Sequence, residues 1–184
     1  MKRMKKILTL AVLLMTSIAL FAQEKKDVTK FLGIPVDGYK SEMISKLKAK
    51  GFTESTKING CLEGELNGHD VYLGVETNNN KVCRIIVMYK DSHNQTNIRM
   101  HFNNLLHQFE NNSKYIGYNN EPISENENLV DEISVKNKRY NALFYQNGDR
   151  NKLVWFTIAH KNYNNYVIVI YYDNCYNQAN GEDL

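Results

Sequence analysis

The sequence predicts an α+β fold in which two helix-plus-three-strand units follow in tandem and share one antiparallel sheet, with both helices on one face. Three observations predict it. Two segments carry apolar residues at helical spacing, each is followed by three runs of alternating character, and no Pro-, Gly- or Ser-rich linker separates the halves, about 37–90 and 95–173.

The first helix follows Asp37-Gly38, where Asp37 is expected to cap it, and places Tyr39, Met43, Ile44 and Leu47 on one face. Gly51 ends it in the left-handed conformation, and Phe52 is placed to fold back on Leu47. Three strands are expected next, Ile58–Leu66, His69–Thr77 and Lys81–Tyr89. Asn67-Gly68 between the first two is a hairpin signal, because both residues tolerate the positive φ of a tight turn, and Asn78 to Asn80 join the second to the third.

In the second half, Ile98, Phe102, Leu105, Leu106 and Phe109 define an amphipathic helix over Gln95–Asn111. A polar connection, Ser113 to Asn128, leads to a short helical turn carrying Leu129, Val130 and Ile133. Strands are then expected at Tyr140–Gln146, Lys152–His160 and Tyr166–Asp173.

Alternation assigns faces. Val71, Leu73 and Val75, with Val154, Phe156 and Ile158, point to the core, and Tyr72 and Trp155 point away from it. The last strand is apolar or aromatic on both sides, with Tyr166, Ile168, Ile170 and Tyr172 on one and Val167, Val169 and Tyr171 on the other. It is therefore expected to be central, with an open sheet face bearing Trp155, Tyr171, Val167, Val169 and Tyr72 as a partner-binding surface. The alternative is that the loop 113–128 folds over that face.

Residues 1–22 read as a signal peptide. Lys2, Arg3, Lys5 and Lys6 precede an uncharged run from Ile7 to Phe21, and Ala22 is a small residue suited to cleavage. The run is shorter than the roughly 20 residues of a spanning helix, and no Cys stands next to Ala22 to carry a lipid. The expected location is periplasmic or secreted, with residues 23–184 forming a single α+β domain and no stable membrane span after cleavage. Four of the 23 basic residues and none of the 20 acidic ones lie in residues 1–22, which leaves 19 against 20. A near-neutral chain of that kind has no electrostatic case for nucleic acid.

Cys61, Cys83 and Cys175 are odd in number, so a monomer keeps at least one free thiol and no disulfide framework is expected. Cys61 and Cys83, read on the first and third strands of a meander, would lie about 10 Å apart and beyond disulfide reach.

The opening Phe31-Leu32-Gly33-Ile34-Pro35-Val36-Asp37-Gly38, the helix running into Lys50-Gly51-Phe52, and the meander after it resemble the β-lactamase-inhibitor-like (BLIP-like) group, which includes PepSY-like small exported proteins. The resemblance implies tandem helix-and-sheet repeats and a protein partner bound on the concave sheet face. It transfers no site residue.

No catalytic constellation stands out. His101 and His107, six residues apart, point about 120° apart on their helix, and His107 with Glu110 is a solvated i, i+3 pair. Glu63 and Glu65 are expected to pair with Arg84 across the sheet. Phosphate loops, G-x-S-x-G and H-E-x-x-H are absent from the sequence. The expectation is no enzyme, no cofactor and no metal, but an exported protein-binding module, an inhibitor or immunity-type protein, whose partner is another envelope or secreted protein. The alternative is a carrier or sensor of a small apolar envelope ligand held on the sheet face or beneath the helices.

Overall fold

The computed structural model describes residues 26–162 and 164–178, so the signal-peptide reading of residues 1–22 lies outside the described residues. The chain runs β1 (Lys30–Phe31), β2 (Ile34–Pro35), α1 (Lys40–Lys48), β3 (Thr53–Glu54), β4 (Leu62–Leu66), β5 (His69–Asn78), β6 (Lys81–Tyr89) and α2 (Gln95–Glu110). It continues with β7 (Tyr115–Gly117), α3 (Leu129–Ser134), β8 (Asn141–Gln146), β9 (Lys152–Asn162), β10 (Asn165–Asn174) and a 3-10 turn over Cys175–Asn177. The architecture is α+β: one antiparallel eight-stranded sheet, β3-β4-β5-β6-β10-β9-β8-β7, and a two-stranded β1-β2 hairpin.

β10 is central, between β6 and β9, as its two apolar sides require. Val71, Leu73, Val75, Ile85, Val87, Val154, Phe156, Ile168 and Ile170 share one face and are buried. α1 covers it over β5 and β6 with Met43 and Leu47, and α2 covers it over β9 and β10 with Ile98, Phe102, Leu106 and Phe109. Phe102 meets Phe156 edge-on at 5.0 Å between ring centres, and Phe109 stacks on Phe144 at 4.9 Å.

The helix stop after α1 follows the sequence signal. Gly51 has φ +99°, and the Phe52 N–H reaches back to the Leu47 carbonyl at 3.3 Å, the six-to-one bond of a Schellman ending. Asn67 (φ 51°) and Gly68 (φ 79°) form the tight turn between β4 and β5. Asn94 caps α2 by accepting from Asn97 N.

Several expectations are corrected. Asp37 does not cap α1: its Oδ1 accepts from Gly38 N and Asn177 Nδ2 and ties the helix start to the C-terminal turn. Tyr39 lies at the N-cap, not on the buried face, and is 56% exposed. The first meander strand begins at Leu62, because Ser55 caps a turn through Lys57 and Ile58 and Gly60 takes φ +78°. The short strands β1, β2, β3 and β7 were not expected; two or three residues are too few to show a period of two. Cys61 precedes β4, Cys83 lies on β6 and Cys175 opens the 3-10 turn, and all three are free.

The 113–128 connection does not cover the open sheet face. It pairs along the edge as β7, holds the backbone of Leu143 through the Asn120 side chain, then crosses to the helix side. There Ile123 is buried and its backbone is bonded in both directions by Asn103 of α2.

Candidate functional site

Register builds the open face in ranks, because directly opposed residues point the same way. One rank runs Gly74, Ile86, Tyr171, Trp155, Leu143 across β5, β6, β10, β9 and β8, and every side chain in it is apolar or aromatic. The neighbouring rank runs Glu63, Tyr72, Met88, Val169, Thr157, Asn141. On the other side lie Glu76, Arg84, Asp173, Leu153, Tyr145 and, on the edge strand, Ile116.

At the centre, Trp155 and Tyr171 stack with ring centres 4.0 Å apart and planes 13° from parallel. Both are half-buried. The indole Nε1–H donates to Asp173 Oδ2 at 2.9 Å. Asp173, on the next rank, has a side chain only 1% exposed and also takes Arg84 Nε at 2.5 Å and Nη2 at 3.0 Å, a two-point grip of the kind only a guanidinium offers. The Arg84 guanidinium lies 5.2 Å from the Tyr171 ring centre and 6.0 Å from that of Trp155, and its Nη1 reaches Glu76 at 3.4 Å. The bond to Asp173 raises the Arg84 pKa above its ordinary value, and burial raises that of Tyr171. Arg84 is therefore a fixed cation that braces the aromatic stack. The expected pairing of Arg84 with Glu63 or Glu65 does not occur; Glu63 pairs with Lys90 at 3.2 Å, and Lys90 sits 4.9 Å from the Tyr72 ring centre.

The five residues expected to form the surface are thus on one face, with unequal roles. Trp155, Tyr171 and Tyr72 present accessible rings, whereas Val167 and Val169 are each 5% exposed and form the floor between neighbouring strands. Sequence reasoning missed Ile86, Met88, Leu143, Leu153 and Tyr145 on this face; the same alternation, carried through β6, β8 and β9, points to them. Beside the stack, a groove of about 510 Å³ runs towards the α3–β8 connection, where Ile133, Lys138 and Arg139 line it.

A second assembly was not visible in the sequence. His69 at the start of β5, His93 before α2 and His101 within α2 converge: His93 stacks on His101 at 4.1 Å, His69 meets His101 at 5.9 Å, and His69 stacks on Tyr89 at 4.5 Å. Burial, with the nearby His93 and His69, lowers the His101 pKa, opposed by Asp91. The His93 backbone exchanges two bonds with Tyr166 at 2.8 and 2.9 Å, so the cluster anchors α2 to β10. Among the described residues no group of three or more His, Cys, Asp or Glu is placed to hold a metal ion. No helix of the described residues is long and apolar enough to cross a membrane. Comparison of the chain with protein-family models, with curated proteins and with solved structures found no match.

Proposed function

We propose that this is an exported protein-binding module of the BLIP-like kind, built from two tandem repeats, that engages a protein of the envelope or the secreted fraction through its open sheet face. The role proposed for that surface is that of an inhibitor or immunity-type protein. The observation that carries the reading is the unbroken apolar rank from Gly74 to Leu143, centred on the stacked Trp155 and Tyr171, on a face that solvent would otherwise favour as polar. Aromatic anchors held rigid by a buried charge network lose little conformational entropy on binding, which is what an interface centre needs.

The small-ligand carrier reading draws on the cavity beneath α2, lined by Leu66, Tyr89, Leu105, Phe109, Ile170 and Tyr172. Its volume is about 150 Å³, below the roughly 300 Å³ at which ligand pockets begin. The groove beside Trp155 on the sheet face, about 510 Å³, reaches that size but lies open to solvent rather than enclosing a ligand, and so favours a protein partner over a small molecule.

Site-specific photo-cross-linking tests it, with a benzophenone side chain at Met88 or Leu143 on the open face and at Lys40 on α1. Discrete adducts with another protein are expected from the two face positions and not from Lys40. Adducts from Lys40 alone would turn the reading down.

A further inference from the structure

The open face carries charges that no described residue neutralises. Glu65 of β4 and Asp70 of β5 are directly opposed, both are exposed, and neither forms an ion pair with a described residue. Like charges in that position repel. At the far flank, Arg139 is exposed, lies two residues before Asn141 on the same side of the β8 line, lines the groove beside Trp155, and likewise has no ion-pair partner among the described residues. Acid and base thus sit on opposite flanks and at the same end of the strands, with the apolar rank between them.

We propose that a second copy of this chain docks on this face, related by a two-fold axis parallel to the strands and passing between β6 and β10. It rests on the reading of the open face as an interface and names one occupant for it. Such an axis exchanges the flanks without exchanging the strand ends, so Glu65 and Asp70 of one copy face Arg139 of the other, twice over. It also sets each Trp155 against the other copy's Gly74, the position in the apolar rank that has no side chain to collide with it. Sheets related in this way pack face to face like the halves of a sandwich, about 10 Å apart. Six strands at about 4.8 Å and four ranks at about 7 Å cover a footprint of roughly 800 Å², about what each partner of a standard interface buries. The dimer shields the aromatic face, and a different partner has to displace it.

Sedimentation velocity on the purified protein from about 1 to 500 µM tests this, with a thermal melt of each variant as the folding control. A monomer–dimer equilibrium that weakens with added salt is expected, since the flanking pairs are solvent-exposed. Arg139→Glu, and separately Glu65→Lys with Asp70→Lys, should each raise the dissociation constant at least about tenfold, because each sets like charges opposite one another. Mixing the two variant proteins should restore dimers, since every contact in the mixed pair joins opposite charges. A monomer throughout, or a dimer indifferent to both variants, overturns the proposal, while cross-links from Met88 and Leu143 to a different protein would still uphold the interface. Should a variant fail to fold, acrylamide quenching of Trp155, the sole tryptophan, decides on the natural protein: quenching should fall as the dimer fills, and quenching unchanged across the dimerisation range overturns it.

Discussion

Replacing Trp155 separates its two structural ties. In Trp155→Phe an aromatic ring still covers Tyr171, but the donor to Asp173 Oδ2 is gone. A hydrogen bond to a charged group contributes about 1.5–3 kcal/mol, and the half-exposed indole argues for the lower end, about 1.5 kcal/mol. Trp155→Ala also removes the stack, a further ~0.5–1.5 kcal/mol beyond the apolar area lost, for about 3 kcal/mol in all. In a domain of this size each kcal/mol moves Tm by roughly 2–4 °C, so Phe should lower it by about 3–6 °C and Ala by about 6–12 °C. Differential scanning calorimetry of the three proteins gives the comparison. Two variants melting together within about 1 °C of the parent would refute the reasoning, since neither the indole bond nor the stack would then contribute. The result also governs any binding assay: a Trp155→Ala protein must be compared well below its own Tm before lost capture counts as a lost anchor.

Other predictions follow from single contacts. Gly64→Ala places a Cβ 2.6 Å from Phe52 Cδ1, and Phe52 is buried; overpacking should cost about 1–3 kcal/mol by urea titration, relieved in the Phe52→Leu background. Lowering the His101 pKa in the fold means that the unfolded chain binds more protons, so stability should be complete above pH 6.5 and fall as pH drops below it towards the folded pKa; His101→Gln should flatten that part of a urea-midpoint profile between pH 7.5 and pH 5. Protein recovered from an envelope or secreted fraction should begin at or near Gln23 by mass spectrometry, and an intact Met1 there would dismiss the signal peptide.

Local chemistry made much of this protein readable in its sequence. Asn67-Gly68 and Gly51-Phe52 specify backbone conformations that few other residues adopt, so a turn and a helix stop could be located to the residue. Alternation has a period of two wherever a strand lies, so it assigned Trp155, Tyr171 and Tyr72 to one face without reference to any neighbour, and the doubly apolar β10 to the centre of the sheet. What alternation cannot supply is which strands adjoin and in what register. The β6–β10 pairing joins residues more than 80 positions apart, and it alone sets Arg84 opposite Asp173 rather than near Glu63 or Glu65. That pairing turned a surface arginine into the brace of the aromatic stack. For the same reason Asp37 serves the C-terminal turn instead of α1, and three histidines spread over His69, His93 and His101 meet only because α2 folds back across the sheet. Side-chain direction is a local property of the backbone, whereas the identity of a side chain's partner is a property of the packed whole.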